Sequence, residues 1–234
     1  MEKFKVKVIE NVQETPTVYL LRLKRTDGKP LEFTPGQWVL ARMEKNGNDI
    51  RRAYSIASPP FIKDHFELCI KRVEGGEMSP VLTSMKEGEV FDCAGPYGKF
   101  VLVDPLETDV FFIATGTGVA PFRAMIDTIF HNGTGVNVRL YFGIRSEDQI
   151  IYDEHFFQMA ERYDNFEFIP TLSRPSSSWK GEKGYVQLLV KKYINGYHDE
   201  EVYICGIPEM VDEVKQMFLG MGCLKERVHT EKWY

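Results

Sequence analysis

A change of rhythm at "VDPLETD", residues 103–109, limits the possible folds more than any other feature of this chain. Before it come short alternating runs, "FKVKVIE", "VYLLRLKR", "QWVLARME", "RAYSIAS", "HFELCIKRV" and "EVFDCAG", parted by turn formers such as "TDGKP", "TPG" and "KNGND". Six period-two runs with frequent turns predict an antiparallel sheet closed into a barrel, with "SPVLTSMK" as its one short helix. After it, apolar strands alternate with amphipathic helices: "VFFIA" and "PFRAMIDTIFH", "VNVRLYFGI" and "QIIYDEHFFQMAERY", "FEFIPTLS" and "YVQLLVKKYI", "EVYICG" and "PEMVDEVKQMFLGMG", then "RVHTEKW". That order predicts a parallel sheet covered on both faces. The expected fold class is therefore β + α/β, a six-stranded antiparallel barrel over residues 1–104 followed by a five-stranded parallel-sheet domain over 105–234.

Composition narrows the function. With 29 basic against 34 acidic residues and a formal charge of -5, the 234-residue chain has no general attraction for nucleic acid or an anionic membrane. Its cysteines, Cys69, Cys93, Cys205 and Cys223, are too dispersed for a zinc ribbon or an iron-sulfur loop. The start, "MEKFKVKVIE", lacks the apolar core of a signal peptide, and no 18-residue apolar run occurs. These features lead us to expect a cytoplasmic protein with reduced thiols, no inserted membrane segment and no metal centre.

Three stretches carry candidate chemistry. In "RRAYSIASPP" a strand places Arg52 and Tyr54 on one face and Ala53 and Ser55 on the other, grouping a cation, a ring and a hydroxyl. This suits a ligand with a phosphate and a planar ring system, and equally an exposed strand face. In "FFIATGTGVAPFRAMI" a strand runs into Gly116 and Gly118, and Pro121 stands in the first helical turn, where its missing N–H costs little. Exposed backbone N–H groups and the positive end of the helix make a pyrophosphate site, although a glycine turn made for tight packing reads the same way. "CIKRVEGGEMSPVL" repeats the logic, with Gly75, Gly76 and a Ser79 placed to cap the next helix, or else forms a plain turn.

Together "RAYS", "GGEMS", "GPYGKF", "GTGVAP", "CGIPEM" and "EKWY", with "FTPGQWV" before them, occur in the order found in the ferredoxin-NADP reductase family of flavoproteins, and the resemblance covers nearly the whole chain. It implies an FAD-binding barrel followed by an NAD(P)-binding domain, with hydride moving between nicotinamide C4 and flavin N5. By resemblance Arg52 partners the flavin pyrophosphate, Tyr54 lies against the isoalloxazine, and Ser55 offers its hydroxyl near N5. Lys71, Gly75, Gly76 and Ser79 join the flavin site, and Thr115, Gly116, Thr117, Gly118 and Pro121 receive the NAD(P)H pyrophosphate. Cys205, Gly206, Pro208 and Glu209 match the segment beside the nicotinamide. Hydride transfer asks the protein mainly for alignment, so Cys205 reads as a shaping residue rather than a nucleophile. Glu231 resembles the carboxylate near the flavin edge, with a salt-bridged surface glutamate as its alternative. Trp233 is expected to cover the second flavin face and Tyr234 to make a contact nearby.

Ser173, Arg174, Lys183 and Tyr185 resemble the groups that hold the adenosine 2'-phosphate, and Arg145, after "YFG", is another candidate, favouring NADPH with NADH still possible. The resemblance makes ferredoxin or flavodoxin the expected one-electron partner, with Lys71 and Arg72 as candidate docking charges. A monomer or weak dimer is expected. An NAD(P)H:flavin reductase, an oxygenase reductase component and a noncatalytic electron-transfer or nucleotide-sensing subunit are the competing readings.

Overall fold

Phe4, Val6 and Val8 are buried, while Lys3, Lys5 and Lys7 between them are exposed, so the first strand divides its faces by simple alternation. The structure, a computed structural model, describes residues 2–45 and 47–233. The elements of the first half are β1 (Glu2–Gln13), β2 (Val18–Arg25), β3 (Trp38–Lys45), β4 (Asn48–Ser55), β5 (Phe66–Lys71), α1 (Ser79–Leu82) and β6 (Val90–Tyr97). They form one antiparallel sheet in the order β4-β3-β6-β1-β2-β5. Its two edge strands meet through a bridge between Ile56 and Leu68, and the Ala57 N–H donates to the Glu67 carbonyl at 2.8 Å. The expected barrel is thus closed by a short seam. Leu21, Leu23, Val39, Ala41, Phe66, Leu68, Ile70 and Phe91 fill its interior.

The second half contains β7 (Val110–Thr115), a 3-10 turn (Gly116–Val119), α2 (Ala120–Asn132), β8 (Val138–Ile144), α3 (Asp153–Arg162), β9 (Phe166–Leu172), β10 (Glu182–Lys183), α4 (Val186–Tyr193), β11 (Glu201–Gly206), α5 (Pro208–Gly220) and β12 (Val228–Lys232). The parallel order is β10-β9-β8-β7-β11-β12. The first five residues of β7 are all buried, as a strand covered on both faces requires.

Two details go beyond the sequence pattern. The parallel sheet has six strands rather than five, because Glu182 and Lys183 pair with Thr171 and Leu172. Two charged residues carry no apolar alternation, so they read as loop. The Trp179 indole donates to the Glu182 carbonyl at 2.8 Å and the Thr171 hydroxyl to the Gly184 carbonyl at 3.1 Å, which fastens this polar, glycine- and serine-rich stretch. Helix α3 begins at Asp153, four residues later than its apolar pattern, because Tyr152 takes a left-handed φ of 59°.

By packing, the chain divides into two compact units. One runs to Leu102 and includes Ala120–Gly133; the other holds Val103–Val119 and the chain from Thr134 onward. Helix α2 therefore packs with the barrel, where Phe122 meets Phe100 and His131 stacks on Phe61 at 3.9 Å between ring centroids. Among the described residues no helix is long and apolar enough to cross a membrane. No group of three His, Cys, Asp or Glu side chains among them is arranged to hold a metal ion.

Candidate functional site

The barrel unit gathers the first set of candidate residues. Pairing of β4 with β3 sets Ser55 opposite Trp38 and Arg52 opposite Ala41. Ser55 is buried, Tyr54 is half-buried with its ring packed on the barrel core, and Arg52 is exposed. Burial pushes the Tyr54 phenol up to about 12, so the ring is neutral at ordinary pH. Arg52 donates to the Arg51 carbonyl at 2.8 Å and pairs with Glu77 at 3.1 Å. Glu77 directly follows Gly76, so this pair joins the arginine of "RAYS" to the loop of "GGEMS". The sequence gives no signal for Glu77 beyond its place in that loop.

Within the loop, the Gly76 N–H donates to the Val73 carbonyl at 2.9 Å, and the Ser79 hydroxyl accepts the Val73 N–H at 3.1 Å. Ser79 is not the cap of α1, as expected from sequence, but its first residue; Met78 stands at the cap position without a side-chain hydrogen bond. Its hydroxyl turns back to tie the loop. The expected docking pair also separates. Lys71 is exposed, but Arg72 donates to the hydroxyls of Thr83 at 3.1 Å and Ser84 at 3.0 Å and pairs with Glu74 at 3.3 Å. Arg72 clamps the end of α1 and is not a free docking charge.

The barrel residues fit a flavin nucleotide. Arg52 retains guanidinium N–H groups beyond its two contacts, Ser55 supplies a hydroxyl, Tyr54 a flat neutral ring, and a Cβ on Gly75 would meet nothing within 4 Å.

The second unit builds around the end of β7. Gly116 has φ +54° and open space where a Cβ would stand, so its backbone is approachable. Gly118 is different: a Cβ there would lie 2.4 Å from the Cys205 carbonyl oxygen. Close packing of the turn on β11 therefore requires this second glycine, and the ligand and packing readings of "TGTG" fall on different residues. The Thr115 hydroxyl accepts the Ile207 N–H at 3.2 Å, and Thr117 lies half-buried in the turn between the glycines. Pro121, the second residue of α2, is buried in the first helical turn.

Past the carboxyl ends of β8 and β9, next to β7 in the same parallel sheet, the Ser173 N–H donates to the Ile144 carbonyl at 3.0 Å and the Arg174 N–H to the Arg145 carbonyl at 2.7 Å. Both arginines are exposed at the carboxyl ends of adjacent strands, with exposed Lys183 on β10 next along the sheet. Tyr185 is exposed at the start of α4. Glu147 accepts from the Ser176 backbone and hydroxyl, which secures the intervening loop.

At the end of β11, Cys205 is fully buried and lies in register with Glu231 of β12. Burial, with the nearby Glu231 carboxylate, holds the Cys205 thiol well above its ordinary value, so it supplies no thiolate and shapes its surroundings. Glu231 is not a surface ion-pair residue. Its Oε2 is buried with no hydrogen-bond partner among the described residues, and burial pushes its carboxyl up to about 7 despite a hydrogen bond from Trp233. The Trp233 backbone N–H donates to the Gly206 carbonyl at 3.0 Å, which fixes the residue beside the turn into α5, where Pro208 and Glu209 form the first turn. Tyr234 lies outside the described residues.

An antiparallel barrel with a cation, ring and hydroxyl on one strand, and a parallel sheet with a glycine turn entering a helix, define a dinucleotide-dependent flavoprotein oxidoreductase. Residues 3–102 match the oxidoreductase FAD-binding domain, and residues 112–216 match the oxidoreductase NAD-binding domain. The chain is 34% identical to ferredoxin-NADP reductase B of Sorangium cellulosum, across 99% of this chain and 98% of that protein. It is 29% identical to DmpP, the reductase component of phenol 2-monooxygenase from Pseudomonas sp. strain CF600, spanning all of this chain and 66% of that one. Among solved structures, the cytochrome P450 reductase GcoB of Amycolatopsis superposes with a TM-score of 0.89 at 26% identity, over 99% of this chain and 69% of its own. This chain belongs to the ferredoxin-NADP reductase family. It is an FAD- and NAD(P)H-binding oxidoreductase with an electron-transfer role.

Proposed function

We propose that this protein is a ferredoxin-NADP reductase that passes electrons between NADPH and a ferredoxin or flavodoxin, with residues 1–104 binding FAD and 105–234 binding the nicotinamide nucleotide. The observation that carries the NADPH preference is the pair of exposed arginines, Arg145 and Arg174, held side by side by a 2.7 Å backbone hydrogen bond with Lys183 on the next strand. Three cations on one sheet end suit a 2'-phosphate dianion. FAD, when bound, supplies the exchange of a hydride pair for single electrons. In this reading Arg52 releases Glu77 to hold the flavin pyrophosphate, while Tyr54 and Ser55 orient the ring. The Gly116 backbone and the start of α2 hold the nucleotide diphosphate. Glu231, poised near neutrality by burial, holds a proton beside the reacting rings, and Trp233 excludes water. The similarity to DmpP favours a second reading, in which the recipient of the electrons is an oxygenase.

The test is anaerobic titration of the flavin-loaded protein with NADPH and NADH, followed by reoxidation with ferredoxin, flavodoxin or an oxygenase component. Bleaching at lower NADPH than NADH is expected. Arg174→Ala is expected to raise the KM for NADPH about 10-fold or more, the loss of one charge-assisted hydrogen bond, and to leave that for NADH little changed. Equal effects on both nucleotides remove Arg174 from phosphate recognition.

A further inference from the structure

Glu67 is a charged residue, the second of barrel strand β5, and only 1% of it is exposed. Its Oε1 accepts from Arg123 Nη1 at 2.6 Å and its Oε2 from Arg22 Nε at 3.1 Å. Its backbone is equally committed. The Glu67 N–H donates to the Ser58 hydroxyl at 2.9 Å, and its carbonyl accepts the Ala57 N–H at 2.8 Å. One residue thus holds two segments of the barrel unit. Through its backbone it fixes Ala57 and Ser58, two and three residues beyond Ser55. Through its carboxylate it fixes the fourth residue of α2, in the helical turn that contains Pro121.

Arg123 is an unusual choice at that position. The first turn of α2 contains no acidic residue, and a cation near the positive end of a helix is disfavoured unless a carboxylate compensates it. A buried ion pair contributes little net stability compared with apolar packing, because both ions lose their hydration. Two more charges join the cluster, Asp127 at 3.8 Å from Arg123 and Glu10 on Arg22. A short charge-assisted hydrogen bond from a guanidinium to a buried carboxylate does, however, set position more tightly than a packed aliphatic contact.

We propose that Glu67 and Arg123 are a positioning pair that holds the first turn of α2 in register with the strand exit carrying Ser55, and so sets the alignment of nicotinamide and flavin for hydride transfer. The proposed role is positioning rather than contact with a cofactor. The pair acts through the backbone at both ends, and this rests on the functional reading above. Hydride transfer is steep in geometry, and a displacement of about 1 Å is enough to cost on the order of 100-fold in rate.

The experiment is anaerobic stopped-flow reduction of the flavin-loaded protein by NADPH and NADH, in the parent, Glu67→Gln, Arg123→Gln and Arg123→Lys. In Glu67→Gln and Arg123→Gln the limiting rate is expected to fall about 10-fold while the half-saturating nucleotide concentration stays within about threefold of the parent's. Arg123→Lys, which keeps the charge without the guanidinium, is expected to fall between these and the parent. A purely structural role would lower thermal stability and leave the limiting rate of the folded, flavin-loaded fraction unchanged. Limiting rates within twofold of the parent in Arg123→Gln overturn the proposal, and this variant decides the matter if Glu67→Gln does not fold. A parent flavin that neither nucleotide bleaches refutes the functional reading itself, which is a separate outcome.

Discussion

Glu231 gives the sharpest link between a single side chain and a bulk property. Its carboxyl is raised from an ordinary 4.5 to about 7, chiefly by burial, and the Trp233 hydrogen bond recovers only part of that cost. Each pH unit between the folded and unfolded values corresponds to about 1.4 kcal/mol, so ionising Glu231 within the folded protein costs on the order of 3 kcal/mol. The folded state binds the proton more tightly, so the favourable contribution is complete below pH 4.5 and is lost as the pH rises through 7. Glu231→Gln cannot titrate. Urea unfolding followed by circular dichroism, at about pH 5 and about pH 8.5, should therefore show the parent losing up to about 3 kcal/mol more than the variant over that interval. Other titrating groups are common to both proteins and cancel in the difference. Parallel stability curves for the two proteins would refute the assignment of a buried, strained carboxylate, and with it the idea that this residue keeps a proton near neutral pH.

Two further substitutions separate ligand contacts from packing. Arg52→Ala removes a half-exposed guanidinium whose partners are Glu77 and a backbone carbonyl, so the barrel should keep its circular dichroism spectrum while flavin affinity falls about 10- to 100-fold, the loss of one or two charged hydrogen bonds. Unchanged flavin content after gel filtration removes Arg52 from the site. Gly118→Ala forces a methyl group to 2.4 Å from the Cys205 carbonyl, and overpacking of this kind costs about 1 to 3 kcal/mol, readable as a lowered Tm with or without nucleotide present. An unaltered Tm there means that the turn and β11 are free to part.

Periodicity made both sheets legible, because the burial that selects Phe4, Val6 and Val8, or the unbroken "VFFIA" of β7, is written in neighbouring residues. The glycine turns were legible for the same local reason, although the sequence could not divide their labour: Gly116 is open to approach and Gly118 is packed against another strand. What escaped depended on partners distant in the chain. Arg72 reads as an available surface charge until the end of α1 is brought against it, and Ser79 reads as a cap until the preceding loop turns back onto its hydroxyl. Glu67 is the plainest case. In "HFELCIKRV" alternation sends Phe66, Leu68 and Ile70 to the barrel core and consigns Glu67 to the opposite face, where a glutamate is ordinarily solvated. That face is instead covered, and α2 delivers Arg123 to it from 56 residues away in sequence. The helix appears in the sequence as part of a strand-helix alternation belonging to the second half, yet it packs with the barrel. A polar residue that breaks no local rule and is still driven to 1% exposure has been placed there by a tertiary contact, here one that ties β5 to α2 within a single packed unit.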